Sequence, residues 1–189
     1  MRIGLLGGTF NPVHRGHLLL AQGAQSRLGL HRVLWIPAHI PPHKTVQGNA
    51  TPEDRARMVQ LALQGHPGFE LSRVDLDRPP PSYTIETVRR LRKQYPERGN
   101  EWFFLVGSDT ARELHSWREI TALRKLVKFA AVPRSGGSTA PLPGVTLLPV
   151  TTLNLCSSEV RENVRRGRAI DRWVPPGVAR YIEERRLYR

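Results

Sequence analysis

The sequence predicts an α/β protein built on a mostly parallel sheet with helices on both faces. Strand, helix and strand patterns follow one another between Ile3 and Ile36, and such a βαβ unit pairs its two strands in parallel. Further along, residues 102–106 read Trp-Phe-Phe-Leu-Val, a continuous apolar run typical of a strand covered on both faces. Together these patterns predict a doubly wound, Rossmann-like sheet.

The first strand and helix are marked by a change in hydrophobic pattern. Residues 3–6 form an apolar run, and apolar residues at helical spacing over 18–28 predict a helix that Gly29 would end. A second strand is expected over 31–36. The Pro-rich segment 37–49 then predicts a loop at the edge of the sheet where ligands bind in open α/β folds.

Further helices precede the central strand. Thr51 predicts the N-cap of a helix over 52–64. Residues 69–76 are expected to be extended, and Ser82 or Thr84 can cap the next helix.

The central strand 102–106 ends at Gly107, which permits close approach of a ligand. Asp109 can cap the helix that follows, whether or not it also meets a ligand. Strands are expected over 126–132 and 145–148, joined by a loop that we expect to be mobile.

The last part of the chain predicts a small helical extension. Ser157 and Ser158 are expected to cap a helix that ends at Gly167, which provides a second helix N-terminus suited to an anion. A final amphipathic helix is expected after Pro176.

Composition predicts a single domain over residues 1–189. The chain is 39% hydrophobic, which suffices for one well-buried core. No run approaches the roughly 18 apolar residues of a membrane span, and no signal-peptide pattern is present. We therefore expect a cytoplasmic protein with no membrane contact. A single cysteine, Cys156, excludes an internal disulfide and a cysteine-based zinc site.

The charge balance indicates anionic ligands. Lys and Arg total 29 against 16 Asp and Glu, a formal net charge of +13 at pH 7. Such a field attracts anions. Because the arginines are scattered rather than gathered in one patch with aromatic residues, the pattern favours small phosphate-bearing ligands, and no nucleic-acid partner is expected.

The segment 7–17, Gly-Gly-Thr-Phe-Asn-Pro-Val-His-Arg-Gly-His, connects the first strand to the first helix. Glycines let the main chain approach an anion, and the N–H groups at a helix N-terminus carry partial positive charge. If the helix begins near Val13, His14 and His17 lie on one face of its first turn. The segment therefore predicts a phosphate site.

This segment lacks the glycine spacing of the dinucleotide fingerprint and the Gly-Lys-Ser/Thr of the P-loop. It resembles instead the signature of the nucleotidylyltransferase superfamily, a glycine-rich turn followed by His-x-Gly-His. A surface turn with two histidines is the alternative, but eleven consecutive matching positions favour the signature.

Further motifs narrow the resemblance to the bacterial nicotinate-nucleotide adenylyltransferase family, which joins nicotinate mononucleotide to the AMP part of ATP in NAD synthesis. The resemblance extends from Met1 to Tyr188. The motifs that narrow it are Ile36-Pro37 with Pro41-Pro42-His43-Lys44, Pro81-Ser82-Tyr83-Thr84, Val106-Gly107-Ser108-Asp109 and Trp117. The last motif, Ser157-Ser158-Glu159-Val160-Arg161, is shared across the superfamily, as is the N-terminal signature.

The resemblance implies a role for each matching position. His14, His17 and Arg161 would contact the ATP phosphates and take part in catalysis. Residues that bind ATP would be Gly7, Gly8, Thr9, Phe10, Gly16, Gly107, Ser157 and Ser158, where Gly16 would leave room for adenine. Residues that receive the nicotinate mononucleotide would be Ala38, His39, His43, Lys44, Tyr83, Thr84, Asp109 and Trp117. Trp117 would stack on the nicotinate ring.

The implied reaction is direct in-line attack of the mononucleotide 5′-phosphate on the α-phosphorus of ATP, in which pyrophosphate leaves. No nucleophile set of the Ser-His-Asp or Cys-His type stands out in the sequence, so no covalent enzyme intermediate is expected. Mg²⁺ is expected on the triphosphate, held mainly by phosphate oxygens and water.

Two positions depart from the family pattern. Asn11 stands where many relatives have Asp, and Leu155-Cys156 precedes the serine pair where Ile-Ser is common. The alternatives are an adenylyltransferase acting on phosphopantetheine, which has no reason to carry Trp117, and an RNA-binding module of the same fold. The strength of the preference for nicotinate over nicotinamide and the oligomeric state are open at this stage.

Overall fold

The computed structural model describes residues 1–40, 46–133, 141–150 and 153–189. The strands are β1 Arg2–Gly8, β2 Arg32–Pro37, β3 Phe69–Leu71, β4 Glu101–Gly107, β5 Lys128–Val132 and β6 Val145–Leu147. The helices are α1 Arg15–Leu28, α2 Pro52–Ala62, α3 Thr84–Gln94, α4 Ser108–Arg112, α5 Ile120–Leu126, α6 Ser157–Arg165 and α7 Pro176–Glu184, with a 3₁₀ helix at Leu114–Ser116. None of the helices in these ranges has both the length and the apolar character needed to cross a membrane.

The strands form one six-stranded sheet in the order β3-β2-β1-β4-β5-β6. Each neighbouring pair of strands is parallel. The chain runs outward from β1 to β3, returns to place β4 beside β1, and then runs outward in the other direction. This confirms the predicted doubly wound sheet. The direction reverses between β1 and β4, which is where ligands bind in sheets of this kind.

Side chains that alternate along the strands form two hydrophobic cores, one on each face of the sheet. Trp35 and Phe103 pack with buried residues of α1, α2 and α7 on one face. Leu34 and Phe104 pack with α3, α4 and α5 on the other. Since a parallel sheet needs cover on both faces, this arrangement leaves only the strand ends open to a ligand.

Most predicted elements are present, although their ends differ. α1 begins at Arg15, and Gly29 ends it in the left-handed conformation at φ 58°, as expected. The extended segment expected over 69–76 is a strand only at Phe69–Leu71. The chain turns because the main-chain N–H groups of Leu76 and Asp77 donate to the Arg73 carbonyl.

The predicted caps of α3 and α4 are wrong. Tyr83 occupies the N-cap position of α3, and the Ser82 hydroxyl instead accepts a hydrogen bond from the main-chain N–H of His39 at 3.1 Å. Gly107 occupies the N-cap position of α4, which places Asp109 within the first turn.

Replacing Thr51 with alanine is expected to lower the free energy of unfolding by about 1 kcal/mol. The Thr51 hydroxyl accepts from the Asp54 N–H at 3.1 Å, and the Thr51 N–H donates to the Asp54 carboxylate at 3.0 Å. Urea denaturation measures the loss. Thr121→Ala on the exposed side of α5 is the control, and an equal loss in both variants would contradict the role of the cap.

Candidate active site

A cavity of about 790 Å³ opens at the carboxyl ends of the central strands. Gly8 ends β1 and Gly107 ends β4, and both glycines line it. The first turns of α1, α3, α4 and α6 also line the cavity, so four helix N-termini with their main-chain N–H groups lie at one space. The cavity therefore lies where the reversal between β1 and β4 predicts a ligand.

The two histidines of the N-terminal motif form a stacked pair on this wall. Their ring centroids lie 3.7 Å apart with an interplanar angle of 27°. His14 occupies the N-cap position of α1, and its main-chain N–H donates to His17 Nδ1 at 3.2 Å. Because Nδ1 of His17 is an acceptor here, the neutral ring carries its proton on Nε2. His17 can thus donate a hydrogen bond through Nε2.

The turn before α1 is held in an uncommon conformation. Phe10 has φ 49° in the left-handed region, which is rare for a residue of this size. Its buried ring contacts His17 edge-on at 5.1 Å and Trp35 at 5.5 Å. This packing stabilises the strained turn. A Cβ on Gly16 would lie 3.1 Å from the His14 ring, so glycine at this position gives the stacked ring its room.

The N-terminus of α6 is joined to the same turn. Ser157 Oγ donates to the Pro12 carbonyl at 2.9 Å, and Arg161 Nη1 donates to the Asn11 carbonyl at 2.7 Å. The residue at the N-cap is Cys156, so the prediction that the serine pair caps this helix is wrong. The Cys156 main-chain N–H donates to the Glu159 carboxylate at 3.1 Å. Both serines lie in the first turn of α6.

The opposite wall carries aromatic and polar side chains. Trp117 is half-buried and meets Phe104 edge-on at 5.6 Å with perpendicular rings. The Arg118 guanidinium lies 4.6 Å from the centroid of the Tyr83 ring. Thr84 begins α3, and the exposed Asp109 faces the same space. This end of the cavity combines a flat apolar ring with charged groups of both signs.

The predicted residues converge on this cavity with few exceptions. Within the described ranges, every predicted site residue except His39 lines it. His39 Nδ1 lies 3.1 Å from the Arg78 carbonyl, which draws the ring toward the loop before α3. His43 and Lys44 lie outside the described residues. The catalytic and binding roles of the converging residues remain predictions.

Arg55 is a residue that the sequence analysis missed. Its side chain is 1% exposed and donates to the carbonyls of Thr9, Ala38 and His39 at 2.8, 2.7 and 2.7 Å. Burial lowers its pKa, yet guanidinium remains protonated at neutral pH. Arg55 thus joins the turn after β1 to the loop after β2, which form adjacent walls of the cavity. No carboxylate in the described part of the chain pairs with it.

A signal for Arg55 exists in the sequence of α2. Arg55 precedes the buried Met58, Val59 and Ala62 by three, four and seven positions, the spacing of an inward-facing helical stripe. A cation at an inward position requires a structural partner, since burying an unpaired charge is costly. Here the partners are main-chain carbonyls.

Comparisons with known proteins agree on one family. A model of the cytidylyltransferase-like family matches residues 5–163. The chain is 44% identical over 191 residues to a probable nicotinate-nucleotide adenylyltransferase of Thermus thermophilus, with 100% of both chains covered. It is 43% identical over 187 residues to a probable nicotinate-nucleotide adenylyltransferase of Shouchella clausii, covering 99% of this chain and 96% of the relative.

Solved structures show the same fold. Plasmodium falciparum nicotinic acid mononucleotide adenylyltransferase complexed with NaAD superposes with a TM-score of 0.80 at 18% identity, covering 99% of this chain and 97% of the other. A putative nicotinate-nucleotide adenylyltransferase from Vibrio parahaemolyticus gives a TM-score of 0.72 at 17% identity, covering 96% and 98%. With the full-length sequence matches, the chain belongs to the nicotinate-nucleotide adenylyltransferase family within the cytidylyltransferase-like group.

Proposed function

We propose that this chain transfers the adenylyl group of ATP to nicotinate mononucleotide, forming deamido-NAD and pyrophosphate in NAD biosynthesis. The observation that carries the proposal is the single cavity shared by the His14–His17 pair, the N-terminus of α6 and Trp117. A reaction between two nucleotides needs such a space. Membership of the family supports the choice of ATP and nicotinate mononucleotide as the two substrates.

The end of the cavity between α1 and α6 suits the triphosphate of ATP. His17 can donate through Nε2, and Arg161 brings a permanent positive charge. The N-termini of both helices add partial positive charge. One well-placed donor to a developing negative charge typically contributes about 3 kcal/mol of transition-state stabilisation.

The end of the cavity around Trp117 suits the pyridine mononucleotide. An indole face offers a surface on which the nicotinate ring can stack. Tyr83 and Thr84 begin α3, whose N-terminus faces the same space and favours an anionic group. Asp109 can accept hydrogen bonds from ribose hydroxyls.

In the proposed reaction, an oxygen of the mononucleotide 5′-phosphate attacks the α-phosphorus of ATP. A new P–O bond forms as the bond from the α-phosphorus to the bridging oxygen breaks, and the electron pair leaves with pyrophosphate. The protein contributes alignment and charge rather than a covalent intermediate. Holding both nucleotides in line can supply on the order of 7 kcal/mol of the barrier reduction.

Mg²⁺ fits this site as a companion of the triphosphate. Among the described residues, no three His, Cys, Asp or Glu side chains are grouped to hold a metal ion, so phosphate oxygens and water would be its main ligands. When bound, the ion would neutralise charge on the phosphate groups.

We also propose that residues 1–189 act as one domain in the cytoplasm. Residues from Leu6 to Arg161 line one cavity, and α7 packs in the same hydrophobic core as β1 and α1, which supports a single folded unit. The proposed use of ATP as co-substrate supports the cytoplasm as the location.

A turnover assay with three acceptors tests the function. Purified protein with ATP and Mg²⁺ is expected to release pyrophosphate with nicotinate mononucleotide, more slowly with nicotinamide mononucleotide, and not above background with phosphopantetheine. Product mass identifies deamido-NAD. Turnover of phosphopantetheine alone would contradict the proposal and support the alternative adenylyltransferase.

A further inference from the structure

Tyr188 lies far from the phosphate-binding turn in sequence but contacts it in space. Its hydroxyl lies 2.8 Å from Asn11 Oδ1 across a separation of 177 residues. The Tyr188 side chain is buried, and its main-chain N–H donates to Asn49 Oδ1 at 2.8 Å. Burial raises the pKa of the Tyr188 hydroxyl, so this group keeps its proton across the physiological range.

The partners of Asn11 determine the direction of each hydrogen bond. Asn11 Nδ2 lies 2.7 Å from the main-chain carbonyl of Gln47, which can only accept. The amide nitrogen must therefore face Gln47, and Oδ1 faces Tyr188, whose hydroxyl donates. An aspartate at this position could accept from Tyr188 but could not donate to Gln47. This explains why an asparagine suits position 11 in this chain.

The same two residues hold Arg161. Arg161 Nη1 donates to the Asn11 carbonyl at 2.7 Å, and Nη2 donates to Gln47 Oε1 at 2.9 Å. Asn11, Gln47 and Arg161 thus form a closed ring of hydrogen bonds at the edge of the cavity. Tyr188 stabilises this ring of hydrogen bonds through the contact of its hydroxyl with the Asn11 side chain. The Tyr188 ring and Arg161 also line a common smaller recess behind it.

We propose that Tyr188 is a positioning residue for adenylyl transfer, because its hydroxyl fixes Asn11 and thereby the guanidinium of Arg161 at the triphosphate end of the cavity. The inference rests on the proposed function for its reaction. The positioning of Arg161 itself requires only that ATP binds at this end of the cavity. Tyr188 is not a catalytic residue, since its hydroxyl acts through Asn11.

Tyr188→Phe tests the proposal by removing one oxygen atom. The variant is expected to lose about tenfold in kcat/KM for ATP, the effect of one lost hydrogen bond that orients a charged group. Its KM for nicotinate mononucleotide is expected to change little. Calorimetry is expected to show a similar loss of ATP affinity.

Tyr181→Phe is the matched control. The Tyr181 hydroxyl donates to Asp54 Oδ1 at 2.8 Å, a hydrogen bond of the same length between α7 and α2 that does not reach the cavity. Both variants are expected to lose similar thermal stability, but Tyr181→Phe is expected to keep kcat/KM for ATP within about twofold of the parent. Equal kinetic losses in both variants would overturn the proposal.

A double-mutant cycle with Asn11→Ala tests the route of the effect. If Tyr188 acts through Asn11, Tyr188→Phe adds no further loss in the Asn11→Ala background. A full additional loss there would overturn the proposed route. If the parent protein binds ATP but does not use nicotinate mononucleotide, the proposed function fails, while a Tyr188-specific loss of ATP affinity would still support the positioning role.

Discussion

Replacing His17 with alanine is expected to lower the rate of pyrophosphate release by about 100-fold or more, the usual loss when a donor to developing charge is removed. The His17 ring is stacked on His14 at 3.7 Å, and its Nδ1 is occupied by the His14 main-chain N–H. These contacts fix the orientation of the His17 ring and therefore of its Nε2. Steady-state assays with saturating ATP and nicotinate mononucleotide measure the change in kcat.

His115→Ala is the control for this variant. His115 is exposed on the 3₁₀ helix, and its Nδ1 contacts the Arg112 carbonyl. We expect the control to keep the rate of the parent protein. If His17→Ala also turns over at nearly the parent rate, His17 has no part in the mechanism.

Replacing Arg55 with methionine is expected to lower the free energy of unfolding by about 3 kcal/mol or more, because three buried carbonyls lose a charged donor. Methionine keeps most of the apolar volume, so the cost reports the hydrogen bonds rather than a cavity. Release of the Thr9 and Ala38 carbonyls would also let two walls of the cavity separate. The KM values for both nucleotides are therefore expected to rise.

Arg57→Met on the same helix provides the comparison. Arg57 is exposed and donates to Gln60 at 2.7 Å, so its replacement is expected to change the free energy of unfolding by less than about 0.5 kcal/mol. Urea denaturation of the two variants measures the difference. Similar stabilities would show that the buried guanidinium does not hold the loops together.

The sheet and the phosphate-binding turn were predictable because their signals are local. An apolar run followed by glycines and a helical pattern is contained within residues 3–28. The N-cap of α2 was predictable for the same reason, since Thr51 and Asp54 are three residues apart. In each case the interacting groups are close in sequence.

Tertiary contacts account for what the sequence analysis missed. Ser82 fails to cap α3 because its hydroxyl accepts from His39, 43 residues away. The helical stripe of α2 marks Arg55 as an inward position, but its partners are main-chain carbonyl groups, which every residue carries and which leave no pattern in the sequence. The partner of Tyr188 is 177 residues distant. Such contacts join residues that are distant in sequence, so a local sequence pattern does not predict them.

The edge strands of the sheet are short, which protects it from aggregation. β3 and β6, the two outermost strands, contain only three residues each. Short edge strands present few unpaired main-chain groups to another molecule, which reduces the risk that sheets of separate molecules join and aggregate. The long strands β1 and β4 lie in the middle of the sheet, where neighbouring strands pair with them on both sides. Their main-chain groups therefore cannot pair with a strand of another molecule.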